Sequence, residues 1–251
     1  MRNIIYNDEK IILDEGIFFG RGVFETILIK EKPIFLKEHI CRLNRGIELL
    51  ELGDKIKEDF LDKEIEKLHL RNKVLKVLVS PKNIILTERD IPYSKEDYKN
   101  GFKLKISKVI RNSTSPLVYI KSISYMDNLL ENKKAKKEGY NEVIFLNEKG
   151  YLTEGSTSNI FLVKDNKLYT PKIESGLLNG IIREYILKNT NCEEVKLTLN
   201  DLINSDEVFI TNSLLGIMKV ISIEDKIFRE HKFTDSINRK YLVDIEKLGG
   251  A

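Results

Sequence analysis

One stretch of the chain brings together three groups whose chemistry is complementary. Lys121 lies in Y-I-K-S-I, and Glu154 follows 33 residues on in E-G-S-T-S-N. T-P at Thr170 and Pro171 then leads into G-L-L-N-G-I-I-R at 176–183. A lysine amine can form a Schiff base with an aldehyde. A carboxylate can hold a protonated pyridine nitrogen and so keep the ring able to absorb carbanion charge. Backbone N–H groups at the start of a helix, with its dipole, can hold a phosphate. Together these are the handles that a phosphorylated pyridine aldehyde needs.

Taken singly, each residue has an ordinary reading. Lys121 is one of many lysines, and a solvated strand end or a lysine with a buried stem describes it. Its place between L-V-Y-I and S-I-S sets it in or beside an apolar strand. Lost hydration there lowers an amine's pKa and frees it for nucleophilic work. Glu154 alone is a turn carboxylate, and Gly180 ahead of Ile181 and Ile182 alone is the start of a helix. Arg42 is either a surface guanidinium or the positive partner of an anion. Asn212 and Ser213, in I-T-N-S-L-L-G, either add polar groups to a pocket or simply turn the chain after a strand.

The elements that must position these groups alternate along the chain. The second half of 17–30 reads as a strand and turns at 31–32 into 33–36. Residues 39–52 read as a helix, because Ile40, Leu43, Ile47 and Leu50 form one apolar stripe, and Gly53 is placed to end it. A second helix is expected at 58–70. Residues 74–80 and 83–87 read as a hairpin through S-P-K-N, and 102–110 as a further strand. The polar segment R-N-S-T-S-P at 111–116 reads as a linker. It would join a smaller N-terminal α+β domain, 1–110, to a larger cofactor-binding domain, 117–251. Beyond it, 118–123 reads as a strand carrying Lys121, and 126–138 as a helix stopped by Gly139. Two hairpins follow, 142–146 with 151–154 and 159–163 with 167–170. A helix from Gly180 through Ile186, strands at 207–211 and 218–223, and a closing helix at 235–248 complete the pattern. It predicts an α+β protein in two lobes, with mainly antiparallel sheets, flanking helices and no internal repeat.

The chain has 251 residues, 42 basic and 39 acidic, with 41% hydrophobic and 32% charged. That length allows one large or two modest domains and a proper core. The near-balance of charge argues against a dedicated nucleic-acid binder, whose basic residues would cluster. The basic run at 133–137 reads as a solvated helix face. Cys41 and Cys192 lack metal-ligand spacing, so neither a metal site nor a disulfide is expected. Cys41 falls inside the 39–52 pattern and reads as a small packed residue. No apolar leader opens the chain and no run of about 18 apolar residues predicts a membrane span, so a cytoplasmic protein is expected.

With these residues in this order, the chain resembles the fold-type IV, aminotransferase class IV group of pyridoxal phosphate enzymes, with the fold of the D-amino acid aminotransferases. The matching stretches are F-G-R-G-V-F-E-T at 19–26, H-I-C-R-L at 39–43, I-K-S at 120–122, E-G-S-T-S-N-I-F at 154–161, T-P at 170–171 and G-I-I-R-E at 180–184. They run in order across most of the chain. The resemblance implies pyridoxal 5'-phosphate as cofactor, Lys121 as the Schiff-base lysine and Glu154 as the partner of the pyridine nitrogen. It makes Arg42 and the backbone at Ile181 and Ile182 a phosphate cup, with His39 as a support near Arg42. It also implies a homodimer acting on a small molecule.

Within that group, F-E-T at 24–26 and I-T-N-S-L-L-G-I at 210–217 look most like the 4-amino-4-deoxychorismate lyases, which form 4-aminobenzoate and pyruvate in folate biosynthesis. Branched-chain aminotransferases usually show F-E-G and a G-T-A-type turn at these places. D-amino acid aminotransferases usually carry a tyrosine where Phe24 stands, and a phenylalanine cannot donate that hydrogen bond. Ile182 replaces a threonine usual in the aminotransferases, and some lyases lack it too. Two places depart from the lyases: Lys219-Val220 stands where they carry proline before valine, and their arginine-rich loop is reduced to L-T-E-R-D. Arg89 is then the candidate for a substrate carboxylate, with Tyr93 to support it. Phe24 would line the substrate, and Thr26 would position the leaving group. The expected activity is the lyase. The alternative is an aminotransferase for D-amino acids or branched-chain amino acids.

Overall fold

The structure, a computed structural model, describes residues 2–6 and 10–250. It divides into two compact units. The first runs to Pro92 and includes Ile120–Ser124 and the chain from Val243 onward; the second holds Tyr93–Tyr119 and Tyr125–Leu242.

In the first unit, strands β1 (Asn3–Tyr6), β2 (Val23–Ile29), β3 (Lys73–Val79) and β4 (Asn83–Arg89) form a sheet in the order β1-β4-β3-β2. Its helices are α1 (Glu15–Phe19), α2 (Leu36–Leu49) and α3 (Glu58–Lys67). Side chains alternate across a strand, so β2 and β3 bury Val23, Ile27, Ile29, Leu75, Val77 and Val79 on one face. Leu43 and Ile47 of α2 and Leu61 and Ile65 of α3 join them in one core. The opposite face carries Phe24 and Thr26, in register with Leu78 and Lys76. The buried stripe of α2 is Leu36, His39, Ile40, Leu43, Gly46 and Ile47. Cys41 lies off that stripe and is exposed, against its reading as a packed residue.

The second unit is built on a nine-stranded sheet. Its elements are α4 (Lys95–Asn100), β5 (Phe102–Arg111), α5 (Met126–Lys137), β6 (Glu142–Asn147), β7 (Leu152–Gly155), β8 (Asn159–Lys164), β9 (Lys167–Pro171), α6 (Ile181–Asn189), β10 (Cys192–Val195), α7 (Leu199–Ile203), β11 (Glu207–Asn212), β12 (Gly216–Ile223), β13 (Lys226–Ile227) and the start of α8 (Lys232–Gly249). The strands run in the order β10-β9-β8-β11-β12-β5-β6-β7, with β13 on β12. The β5–β6, β5–β12 and β9–β10 pairs are parallel and the rest antiparallel. Leu104, Ile144, Ile160, Ile210, Met218 and Val220 are central to its core. The class is α+β, with mixed sheets.

Two local expectations change. Residues 118–123 are not a strand: Pro116–Tyr119 is a 3-10 turn, and Ser122 makes a single bridge to Val23. Pro116 has no N–H to give to a ladder and favours a turn. Residues 33–36 make only one bridge, Pro33 to Ile29, before α2 begins at Leu36. The segment 111–116 begins inside β5, where Arg111 pairs with Asn147. The elements β1, α1, α4, β10 and α7 are too short for a periodic pattern to reveal them.

Candidate active site

In the first unit, Lys121 is pinned to the start of β2. The Phe24 N–H donates to the Lys121 carbonyl at 2.9 Å, and the Ile123 N–H donates to the Gly22 carbonyl at 2.9 Å. This short antiparallel contact aims the lysine back at β2. Its Nζ stands 4.5 Å from the centre of the Phe24 ring. Lys76 Nζ stands 4.9 Å from the same ring, so two lysine side chains lie against Phe24. Lys76 lies opposite Thr26 in register. Arg89, at the end of β4 opposite Val74, belongs to the same face. The strands give this face no carboxylate, since Glu25 and Glu88 point the other way. Lost hydration, with Arg89 adding to it, pushes the Lys76 ammonium below its usual pKa.

Arg42 is organised by a buried acid. Glu25 is fully buried, and its carboxylate accepts from Arg42 Nε at 2.7 Å and Nη2 at 2.8 Å. It also takes His39 Nδ1 at 2.6 Å. Burial alone would push the Glu25 carboxyl up, but Arg42 and His39 hold it well below the usual range. Burial pushes the His39 imidazole down against the pull of Glu25, with Arg42 and Lys121 adding to the lowering. His39 is therefore neutral at pH 7, and its Nδ1–H donates to the Glu25 carboxylate. Its Nε2 is buried and has no hydrogen-bond partner among the described residues.

In the second unit, Glu154 closes β7. Its Oε2 accepts the Leu178 N–H at 3.1 Å, and its Oε1 faces Arg111 Nη2 at 3.9 Å. The turn that follows, Ser156–Thr157–Ser158, is gathered by the buried carboxylate of Glu142. That acid accepts the N–H and hydroxyl of Ser156 and of Thr157, and the hydroxyl of Ser158. Tyr125 donates its hydroxyl to the Ser156 carbonyl. Burial, with Glu154 and Glu142 adding, pushes the Tyr125 phenol far up, so it stays protonated.

Ile181 and Ile182 open α6 behind Gly180, and no side chain caps them. A Cβ at Gly180 would overlap Asn159 Oδ1, so a larger residue there would have to displace that side chain. Asn159 fixes the preceding loop by donating to the Leu178 carbonyl at 2.8 Å. The first-turn N–H groups therefore fit a phosphate. Asn212 spends its side-chain oxygen on the N–H groups of Leu214 and Leu215, both at 2.9 Å, and its Nδ2 meets the Tyr93 hydroxyl at 3.3 Å. Asn212 thus shapes the turn in which Ser213 sits.

The first unit brings Lys121, Phe24, Thr26 and Arg89 to one side of its sheet and Arg42 to the buried Glu25. The second holds Glu154, Ile181, Ile182, Asn212, Ser213 and Tyr93. Sequence reasoning missed Glu25, Lys76, Arg111 and Glu142. Each carried a signal: a charged residue inside or at the end of a strong apolar strand, as in V-F-E-T-I-L-I and K-V-L-K-V-L-V.

The profile of the amino-transferase class IV family matches residues 22–223. A D-alanine aminotransferase of Bacillus licheniformis is 31% identical over 241 residues, covering 85% of this chain and 82% of that protein. An aminodeoxychorismate lyase of Bacillus subtilis is 28% identical over 236 residues, covering 84% of this chain and 80% of that protein. The crystal structure of a branched-chain amino acid aminotransferase of Escherichia coli superposes with a TM-score of 0.85 at 24% identity, over 93% of this chain and 88% of that one, a likeness of fold.

Proposed function

The chain belongs to the amino-transferase class IV family, whose cofactor is pyridoxal phosphate, and from that premise we propose that it is a lyase that converts 4-amino-4-deoxychorismate into 4-aminobenzoate and pyruvate. When bound, pyridoxal phosphate supplies an aldehyde for an amine and a ring that draws off electron density. Arg42, presented by Glu25, and the N–H groups of Ile181 and Ile182 would hold its phosphate. Glu154 would hold its pyridine nitrogen, and Lys121 would hold its aldehyde carbon. Asn212 and Ser213 would complete the polar rim.

For the reaction itself, the Lys121 amine would take the proton from the substrate carbon that bears nitrogen. Thr26 would place its hydroxyl on the departing pyruvyl group, and Phe24 would give the ring an apolar wall. Arg89, with Tyr93, would hold a carboxylate. The observation that carries this reading is the sheet face on which Lys76, opposite Thr26 and beside the Phe24 ring, and Arg89, one strand further on, place two cations while the strands give it no carboxylate. The proposed substrate has two carboxylates, and two cations on one face match them.

The second reading is a transaminase, favoured by the 31% identity to a D-alanine aminotransferase. One assay separates them. The cofactor-loaded protein is given freshly generated 4-amino-4-deoxychorismate, and 4-aminobenzoate and pyruvate are followed. Equal amounts of both products support the lyase. No product, with glutamate formed from 2-oxoglutarate and D-alanine or leucine, makes it a transaminase.

A homodimer fits the surface as well. Ile17, Phe18 and Phe19 of the first unit are exposed, as are Leu117, Met126, Leu129 and Leu130 of the second. Exposed apolar side chains of this size on each unit ask for a partner, and a second copy would supply it. Among the described residues no helix is long and apolar enough to cross a membrane.

A further inference from the structure

We propose that Arg111 is a positioning residue for Glu154, one that keeps its carboxylate ionised and fixed in direction. The proposal deepens the reading above, in which Glu154 holds a protonated pyridine nitrogen. A neutral carboxyl group could not do that work.

The two side chains are almost equally buried, 11% and 12% exposed, and Arg111 Nη2 lies 3.9 Å from Glu154 Oε1. That is too long for a hydrogen bond and close enough for strong charge coupling away from water. The guanidinium is stacked on Phe145, with its carbon 4.0 Å from the ring centre, so the planar group cannot turn freely. Its backbone is fixed in β5 by the pairing with Asn147. Its Nε and Nη2 are buried and have no hydrogen-bond partner among the described residues. A cation so poorly hydrogen-bonded would be costly if its role were only to fill space. The opposite oxygen of Glu154 is held by the Leu178 N–H, so the carboxylate is oriented from both ends. Tyr125 stays neutral beside them, and the charged groups that reach it are Glu154, Glu142 and Arg111. A positive charge within about 4–6 Å favours the ionised form of an acid and lowers its pKa by about 1–3 units.

The test reads Glu154 directly in cofactor-free protein. Carbon-13 NMR follows the glutamate carboxyl signals against pH, with Glu154 assigned by its loss in Glu154→Gln. Arg111→Gln is expected to raise the Glu154 midpoint by about one unit or more. Arg111→Lys, which keeps the charge, is expected to restore most of the shift. An unchanged midpoint in Arg111→Gln overturns the proposal. If Arg111→Gln does not fold, the double variant with Glu154→Gln decides. Its recovery supports the coupling, because the stranded anion is gone, and its failure overturns it. A separate outcome tests the functional reading. If the midpoint moves but Glu154→Gln binds pyridoxal phosphate and turns over like the parent, Arg111 still governs Glu154, and Glu154 is not the ring's partner.

Discussion

The Glu25 carboxylate grips the Arg42 guanidinium through both of its oxygens, at 2.7 Å and 2.8 Å, from a fully buried position on β2. The arginine that would meet a phosphate is thus aimed by an acid it cannot leave. Replacing Glu25 with Gln strands a cation in a buried place. Breaking such a pair costs about 3–5 kcal/mol, and denaturant unfolding should show that loss. Replacing Arg42 by Met in the same protein should return part of it. An unfolding midpoint unmoved by Glu25→Gln would remove the pair from the stability argument.

His39 predicts how stability responds to acid. Burial holds its folded pKa below the ordinary 6.5, against the pull of Glu25. Below about pH 6.5 the unfolded chain therefore gains a proton that the folded chain refuses, so stability is full above that pH and falls below it. The slope should approach about 1.4 kcal/mol per pH unit once the unfolded histidine is charged. His231, also pushed down by burial, adds the same sign in every variant. His39→Gln should flatten the profile between about pH 6.5 and 5. Thermal melts across that range give the answer, and parallel profiles for the two proteins would count against it.

Lys121 is expected to be the lysine that carries the cofactor. Borohydride reduction of the loaded protein, followed by peptide mass spectrometry, should place the label on Lys121. Lys121→Ala should take no label and lose turnover by about 100-fold or more. A label on another lysine would move the whole assignment.

Lys76 is expected to be felt in KM. If it meets a substrate carboxylate, Lys76→Met should raise KM for 4-amino-4-deoxychorismate about tenfold, the worth of one charged hydrogen bond, and change kcat much less. Steady-state kinetics on the lyase reaction measure both. An equal fall in kcat and kcat/KM would put Lys76 in the transition state instead.

The sequence was most legible where period and spacing are long. The α2 stripe, the β3–β4 hairpin and the start of α6 at Gly180 stand close to where the residue pattern puts them. It was least legible where a single contact decides the geometry. Nothing in L-V-Y-I-K-S reveals that Lys121 leaves a 3-10 turn and is held by one bridge at Ser122. Glu25 and Glu142 stand out as charges in apolar strands, but only the fold shows that both are buried and what they hold. Asn212 illustrates the opposite case: its oxygen is spent on a local turn, a bond that short-range sequence preferences do announce.

Arg183 bears on how fast an anion could be captured. It is almost fully buried in α6, and it donates to the Pro171 carbonyl at 2.9 Å and to Asn179 at 2.8 Å while pairing with Glu194. The helix is therefore bolted to β9 and β10 from behind, by contacts that need no guest. A mould already set before its casting arrives wastes little ordering entropy, so capture at this helix should proceed in one kinetic phase, with no slow rearrangement after the encounter.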